Sequence, residues 1–280
     1  MKADQWLREA AAALREASVP YPERDALLLL SQVLQRDKGF LLAHPEATVP
    51  QAALLDANGL LARRLMREPV QYIRGVQEFW GIPVRVGPGC LIPRPETEHL
   101  MEQTLDLIKD LRSPIIAEVG AGSGCLLLAL SKERPDARIA GIEREAEALG
   151  WARRNLGRIS RVLLARGDLD GDPPLKALDV LVSNPPYVPD EEWDGLPPEV
   201  RLFEPPTALR CGSRPLAPYR ALARWGSLAL KPGGHLVCEL GVAQAKRAAA
   251  LRRLHPQMEW VRGVRDLAGR LRVAVWRRRD

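Results

Sequence analysis

Apolar positions follow two different rhythms along the chain, and the change between them divides it. Up to about residue 75 they recur at helical spacing, as in Trp6, Ala10 and Leu14, and no strand-like run interrupts them. From Ser113 onward, short apolar runs alternate with amphipathic stretches. The first rhythm predicts a small helical bundle, and the second predicts a mostly parallel sheet with helices on both faces.

Three helices are expected in the first part. The first buries a stripe at helical spacing, made of Trp6, Leu7, Ala10, Ala11 and Leu14. Pro22 is well placed to open the second helix, through "ERDALLLLSQVLQ". The third runs from about Pro50 to Arg67, although Gly59 weakens its middle. We therefore predict a helical domain over residues 1–75.

Residues 76–95 change character, because the segment "EFWGIPVRVGPGCLIPRPE" breaks into short strand-like pieces at Gly and Pro. That pattern predicts a β-hairpin linker. The remaining domain, residues 96–280, carries seven apolar runs that read as strands, and they are "IIAEV", "ARIAGIE", "RVLLARGD", "ALDVLVS", "GGHLVCEL", residues 258–264 and "LRVAVWRR". The fold class expected is α/β with a small all-α N-terminal domain.

Composition narrows the class of protein. No apolar stretch approaches the roughly 18 residues of a membrane span, and charges scattered through "MKADQWLREAAAALREAS" make a poor signal peptide. The four cysteines are widely separated with no C-x-x-C pair, which argues against a disulfide framework or a zinc site. With only four histidines besides, nothing indicates a metal. We expect a reduced, cytoplasmic protein.

Charge is distributed unevenly. The net charge is +6, and the excess of arginine gathers toward the end of the chain, from Lys246 to Arg279. A basic surface attracts RNA or an RNA-bound partner. The same composition also fits ordinary solvated arginines, and both interpretations stay open from sequence alone.

A glycine-rich turn joins the first strand of the second part to its helix, in "EVGAGSG". Glycines let the backbone turn tightly, and the helix N-terminus offers free N–H groups. The next strand ends at Glu143, about where an acid meets a ribose hydroxyl in nucleotide-binding α/β folds. A dinucleotide and S-adenosylmethionine are the two cofactors that fit this arrangement.

The glycine spacing favours S-adenosylmethionine. Gly120, Gly122 and Gly124 give G-x-G-x-G rather than the G-x-G-x-x-G of dinucleotide folds. Glu118 precedes the loop, where it suits a cationic amino acid tail better than a pyrophosphate. Asp168 follows the third strand, where an acid can reach an adenine edge.

A second motif, "SNPPYVP", ends the fourth apolar run abruptly. Two prolines cannot donate to a sheet ladder, and Pro185 biases Asn184 toward an extended backbone. The result is a stiff bend that holds an amide and an aromatic ring, those of Asn184 and Tyr187, at a strand tip. The alternative interpretation is a purely structural proline-rich turn that follows a strand.

Taken together, the motifs resemble the class I S-adenosylmethionine methyltransferases, and more narrowly the HemK/PrmC family of protein-glutamine methyltransferases. The resemblance covers nearly the whole chain, in "PVQYIRGVQEFWG", "LIPRPETEHLME", "EVGAGSG", "SNPPYVP", "FEPPTAL" and "DLAGRLRVAVWRR". The Asn-Pro-Pro-Tyr box alone is shared with adenine-N6 methyltransferases, whereas "IPRPETE" ahead of the glycine loop is much more specific. The family's substrate is the glutamine of a Gly-Gly-Gln tripeptide in class I peptide chain release factors.

The resemblance implies roles for individual residues. The cofactor, S-adenosylmethionine or its product S-adenosylhomocysteine, would be bound by Glu118, Gly120, Ala121, Gly122, Ser123, Gly124, Glu143, Asp168, Leu169 and Asn184. Catalysis and substrate binding would fall to Asn184, Pro185, Pro186 and Tyr187. Two departures stand out. The family often has an aromatic residue in place of Leu169, and "RCGSRPL" replaces its usual glycine-rich turn at residues 210–216.

The chemistry accounts for the stiff bend. A glutamine amide nitrogen is a poor nucleophile because its lone pair is delocalised into the carbonyl. The Asn184 carbonyl can accept one amide hydrogen and the Pro185 backbone carbonyl the other, which orients the nitrogen and frees its lone pair. Tyr187 can pack its ring against the planar amide.

Three other functions share features with this sequence. An adenine-N6 methyltransferase acting on DNA or RNA shares the chemistry, because a flipped adenine presents a similar NH2 group. The near-neutral helical part is unlike a nucleic-acid reader. A non-enzymatic adaptor is disfavoured by the intact Asn184 motif, and an NAD dehydrogenase by the glycine spacing. We assign residues 1–75 to docking of the protein substrate.

Overall fold

The computed structural model describes residues 1–157 and 159–280, which group into two compact units. The first unit holds residues 1–76 and 197–203. Its helices are α1 (Ala3–Glu16), α2 (Pro22–Leu34), α3 (Lys38–Ala43), α4 (Gln51–Leu65) and α5 (Val70–Arg74). The side chains of Trp6, Leu14, Leu29, Leu30 and Leu41 form the centre of its core, and the Trp6 indole donates to Asn58 Oδ1 at 2.9 Å.

A short helix from the second half of the sequence, Pro198–Phe203, belongs to this helical unit. The Arg64 guanidinium donates to Asp25 at 2.8 Å and to Glu199 at 3.0 Å, and Arg67 donates to Glu199 at 2.8 Å. Asp25 is 0% exposed and Arg64 only 3%. The structure therefore differs from the expected limits 1–75 and 96–280, because these ion pairs join residues far apart in sequence.

Replacing Arg64 by methionine is expected to destabilise the helical unit strongly. Among the described residues, the substitution leaves the half-exposed Arg24 as the one cation paired with the fully buried Asp25 carboxylate. Breaking a buried ion pair from one side costs about 3–5 kcal/mol of unfolding free energy. Urea denaturation measures the loss.

Arg63→Met is the matched control. Arg63 lies next in the sequence, is about half exposed and pairs with Glu68 at the surface, so its loss should cost under about 1 kcal/mol. Equal losses for the two variants would contradict a special role for the buried pair.

The second unit holds residues 77–196 and 204–280. Its elements, in chain order, are β1 (Val76–Phe79, which begins at the unit boundary), β2 (Ile82–Arg85), α6 (Glu98–Ile108), β3 (Ile115–Val119), α7 (Cys125–Glu133), β4 (Arg138–Glu143), α8 (Ala146–Leu156), β5 (Val162–Arg166), β6 (Leu178–Ser183) and β7 (Val188–Pro189). After Pro198–Phe203, here α9, come α10 (Pro206–Leu209), β8 (Arg210–Gly212), α11 (Ala217–Ala229), β9 (Leu230–Glu239), α12 (Val242–Ala245), α13 (Ala248–Leu251), β10 (Met258–Arg265) and β11 (Leu271–Arg278).

Seven strands form one sheet in the order β10-β11-β9-β6-β3-β4-β5. The five strands from β9 to β5 are parallel, and β11 and β10 extend the sheet antiparallel. The predicted mostly parallel seven-stranded sheet and the β1–β2 hairpin are confirmed. The departure at residues 210–216 includes β8, which pairs with β7 beside the proline bend.

Parallel neighbours align their carboxyl ends, and here these ends carry polar side chains. Strands β4, β6 and β9 finish at Glu143, Ser183 and Glu239, and the glycine loop follows β3 directly. Open α/β sheets bind ligands at this edge. No helix among the described residues is long and apolar enough to cross a membrane.

Candidate active site

A cavity opens at the carboxyl edge of the sheet, in the second unit. Its empty volume is about 800 Å³ including the open mouth, which suits a cofactor-sized ligand. The residues that line it come from the segment before α6, the glycine loop, the strand ends and the turns after them, the start of α8, the proline bend and the α10 segment. They are Gly89, Leu91, Val119, Gly120, Gly122, Glu143, Arg144, Glu145, Ala148, Gly167, Asp168, Leu169, Ser183, Asn184, Pro185, Pro186, Pro205, Thr207 and Ala208.

The glycine loop owes its shape to three left-handed residues. Gly120, Gly122 and Gly124 have φ of 77°, 54° and 75°, a region that side chains disfavour. Gly120 and Gly122 line the cavity. A Cβ at Gly124 would lie 3.2 Å from Ala152, so this third glycine lets α7 approach α8. The lining set, drawn from the described residues, does not include Ala121, Ser123 or Gly124.

Glu143 is fixed by two backbone donors. Its Oε2 accepts from the Gly122 N–H at 2.8 Å, and its Oε1 accepts from the Glu145 N–H at 2.9 Å. The carboxylate thus holds the glycine loop in place, and each oxygen keeps a further lone pair for a ligand hydroxyl.

Glu118 is enclosed by protein, with 4% of its surface exposed. Burial, with a smaller contribution from the Glu143 charge, raises the pKa of its carboxyl well above the usual range. Its Oε2 is buried and meets no hydrogen-bond partner among the described residues. Glu118 lies outside the lining set of those residues, so direct contact with a cationic ligand tail stays a prediction.

Asp168 and Leu169 form one wall of the cavity. Asp168 Oδ2 lies 3.3 Å from Arg144 Nη1, and its Oδ1 accepts from the Leu169 N–H at 2.6 Å. Leu169 packs against the sheet core. The aliphatic Leu169 side chain therefore lies where the resemblance led us to expect an aromatic ring.

At the proline bend, Asn184, Pro185 and Pro186 line the cavity. The Asn184 amide nitrogen donates to Thr97 Oγ1 at 3.2 Å, which leaves its Oδ1 as the acceptor. Tyr187 sits apart from the lining set of described residues, because its ring packs against Gly241 and its carbonyl accepts from Gln244 at 3.0 Å. Burial raises the pKa of the Tyr187 phenol.

Glu204 joins two of the sequence motifs. It is 3% exposed, accepts from the Ile92 N–H at 3.0 Å, and pairs with the Arg94 guanidinium. The segment "IPRPETE" is thereby tied to "FEPPTAL", whose Pro205 and Thr207 line the cavity. These motifs build one wall together.

Sequence reasoning missed three residues around the bend, namely Thr97, Glu204 and Glu239. Each is a buried polar side chain bonded to a residue 87 or more positions away. Their only sequence signal was membership of quoted motifs or, for Glu239, its place at the end of an apolar run beside β6.

Three arginines of the arginine-rich end form ion pairs. Arg262 pairs with Asp106, Arg272 with Asp266, and Arg277 with Glu259. For these three residues, the contacts favour the interpretation of ordinary surface arginines.

Comparison with known families gives two matches along the chain. The family described as "PrmC N-terminal domain" matches residues 5–75, and the family described as "Methyltransferase small domain" matches residues 97–195.

Three relatives of the chain share one name. Proteins called "Release factor glutamine methyltransferase" are 37% identical in Caulobacter vibrioides over 94% of this chain and 91% of theirs, and 36% identical in Koribacter versatilis over 99% of each. The Escherichia coli protein of the same name is 35% identical over 88% of each chain.

Solved structures show the fold. A methyltransferase from Pyrococcus furiosus superposes with a TM-score of 0.51 at 17% identity, over 80% of this chain and 100% of that one. The hMettl16 catalytic domain gives 0.56 at 14% identity, over 78% and 81%. The second unit has the class I S-adenosylmethionine methyltransferase fold.

Proposed function

The chain belongs to the release factor glutamine methyltransferase family, and from this premise we propose that it methylates the side-chain amide nitrogen (N5) of the glutamine in the Gly-Gly-Gln motif of class I release factors. The observation that carries the proposal is the meeting of Asn184 and Pro185 with the glycine loop and Glu143 in one cavity. An amide-orienting bend and a nucleoside-binding edge are thus adjacent.

The residues present fit S-adenosylmethionine as methyl donor. Glu143 offers lone pairs to ribose hydroxyls, Asp168 and Leu169 offer an acid and an apolar wall for adenine, and the left-handed Gly120 and Gly122 let a ligand approach the backbone closely. The buried Glu118 carboxyl, whose Oε2 has no hydrogen-bond partner among the described residues, directly precedes the loop. When bound, S-adenosylmethionine supplies the electrophilic methyl group.

The chain's own task is to hold the glutamine amide. Asn184 Oδ1 accepts one amide hydrogen and the Pro185 carbonyl accepts the other, so the nitrogen turns its lone pair toward the transferable methyl. Positioning of this kind can contribute several kcal/mol to lowering the barrier. With S-adenosylmethionine bound, the methyl group would pass to the nitrogen held by Asn184 and Pro185, S-adenosylhomocysteine would be the other product, and the amide proton would pass to water.

The helical unit supports docking of the factor. A groove on it has an apolar floor that includes Leu7, Ala11, Leu27 and Leu42, and its rim includes Arg8, Arg15, Arg24 and Lys38. Leu42 is 68% exposed. Three of the rim arginines are paired with carboxylates, Arg8 with Asp4, Arg15 with Glu23 and Arg24 with Asp25. The exposed apolar floor, more than the charge of the rim, therefore suits an apolar segment of a partner protein.

Leu42→Asp is expected to raise KM for the release factor about tenfold, the effect of losing one apolar contact of roughly 1.4 kcal/mol. The value of kcat and the affinity for S-adenosylmethionine should not change. Leu55→Asp is the matched control, because Leu55 is 67% exposed on α4 of the same unit and lies outside the groove-lining residues described. If both variants raise KM alike, the groove is not the docking surface.

Methyl transfer from labelled S-adenosylmethionine tests the proposal. We expect label on a purified class I release factor and none on its Gly-Gly-Gln→Gly-Gly-Ala variant or on DNA. Label on DNA would favour an adenine substrate instead.

A further inference from the structure

A chain of three side chains runs from the proline bend into the core. Asn184 donates through its amide nitrogen to Thr97 Oγ1 at 3.2 Å, and Thr97 donates through its hydroxyl to Glu239 Oε2 at 2.7 Å. Thr97 is 5% exposed and Glu239 2%. Thr97 immediately precedes α6, and Glu239 ends β9, the strand beside β6.

The chemistry of these groups fixes the direction of donation in this series of hydrogen bonds. An ionised carboxylate can only accept hydrogen bonds, so the Thr97 hydroxyl must donate its single proton to Glu239. Thr97 Oγ1 then meets Asn184 only as an acceptor, which requires the NH2 side of the Asn184 amide to face it. The carbonyl side of that amide is thereby held on the opposite side.

We propose that Thr97 and Glu239 are positioning residues that fix which way the Asn184 amide faces, so that its oxygen is presented to the substrate nitrogen. The inference rests on the proposed role of Asn184 as an acceptor. It deepens that role, because an asparagine amide has two nearly isosteric orientations and only one of them presents an oxygen.

A direct catalytic role for Glu239 does not fit the geometry. The cavity-lining residues described include Asn184 but neither Thr97 nor Glu239, so the carboxylate is separated from the reacting atoms by two side chains. Tyr219 donates through its hydroxyl to the Glu239 backbone carbonyl at 2.9 Å, which anchors the residue at the strand end.

The surroundings make this carboxyl titrate near neutrality. Burial raises the pKa of Glu239 to about 7, with Glu96 acting in the same direction and the Thr97 hydrogen bond, Arg272 and Arg94 against it. The phenols of Tyr187 and Tyr219 also face it, and burial keeps both neutral.

Protonation would remove the directionality. A protonated Glu239 can donate its own proton to Thr97 Oγ1. The Thr97 hydroxyl can then donate to Asn184 instead of accepting from it, and the Asn184 amide can turn its oxygen toward Thr97 and its NH2 group toward the substrate. Turnover should therefore fall as pH decreases through about 7, the pKa of Glu239.

Thr97→Val deletes the relay hydroxyl at nearly constant volume. We expect kcat to fall about 10- to 100-fold, as for a misoriented catalytic group, while KM and the affinity for S-adenosylmethionine change little. Thr97→Ser restores the hydroxyl and should restore kcat to within about threefold.

Thr104→Val is the matched control. Thr104 lies on α6, is fully buried, and its hydroxyl meets no hydrogen-bond partner among the described residues. The change should leave kcat unchanged, which separates loss of the relay from loss of a buried hydroxyl.

Glu239→Gln tests the titrating group. The variant should lose the wild-type dependence on pH near 7, so that the wild-type to variant ratio of kcat grows from pH 6 to pH 8.5, by about tenfold. Unfolding provides the second measurement. Because the pKa of Glu239 is raised in the folded state, the wild type loses unfolding free energy as pH rises through about 7. Glu239→Gln lacks this group and should not show that loss. A lower turnover of the variant at pH 8.5 therefore cannot be ascribed to unfolding.

Unchanged kcat in Thr97→Val, or a wild-type pH profile in Glu239→Gln, would overturn the positioning role while leaving glutamine methylation in place. Failure of the wild-type protein to label the Gly-Gly-Gln factor would instead overturn the proposed function itself.

Discussion

Asn184→Ala is expected to lower kcat for release factor methylation by about 10²- to 10³-fold, the cost of removing one preorganised hydrogen-bonding group from a reacting centre. The variant deletes the only part of the proline bend that can present a side-chain acceptor to the glutamine NH2 group. The backbone carbonyl of Pro185 remains, so a residual rate should persist.

Cofactor affinity distinguishes this effect from collapse of the site. The described hydrogen bonds that tie the glycine loop to its neighbours involve Ile142, Glu143 and Asn155, and none involves the Asn184 side chain. Asn184 also lines the cofactor cavity, so binding of S-adenosylmethionine to Asn184→Ala, measured by calorimetry, should weaken by no more than about tenfold, well below the fall in kcat. Near-normal turnover in this variant would contradict the two-acceptor arrangement.

Glu143→Ala is expected to weaken S-adenosylmethionine binding by about 30- to 150-fold, equivalent to roughly 2–3 kcal/mol for a lost charged hydrogen-bonding group. The carboxylate does two things at once. It accepts from the N–H groups of Gly122 and Glu145, and it lines the cavity where ribose hydroxyls would lie. Removing it both loosens the loop and removes the acceptors.

Glu143→Gln separates these two contributions. Glutamine keeps one oxygen acceptor of the same reach but replaces the other by a donor, which cannot face a backbone N–H. Its Kd for S-adenosylmethionine should fall between wild type and alanine. Exposed Glu191, on the surface turn after β7, gives the control, since Glu191→Ala should bind normally. Equal affinity in Glu143→Ala and wild type would contradict the cofactor assignment at this edge.

Local sequence patterns predicted much of the fold. Apolar runs predicted the central strands β3, β4, β6 and β9 because buried parallel strands have continuous hydrophobic sequences. The three glycines of the loop all have positive φ. The two prolines predicted the end of a strand, and β6 does end at Ser183, directly before the proline bend.

Long-range polar pairing was beyond sequence reasoning. The hydrogen bond from Thr97 to Glu239 spans 142 positions, and the ion pair of Arg64 with Glu199 spans 135. Neither has a periodic signature, because each depends on which elements become neighbours in the folded chain. The orientation of Tyr187 against Gly241 was missed for the same reason.

The most direct test of the central claim is to locate the added methyl group. A class I release factor incubated with the protein and S-adenosylmethionine would be digested and mapped by fragment-ion mass spectrometry. The account predicts one methyl group on the side chain of the Gly-Gly-Gln glutamine, formed by the wild-type protein and strongly reduced with Asn184→Ala. A methyl group on any other residue, or an equal yield from both proteins, would contradict it.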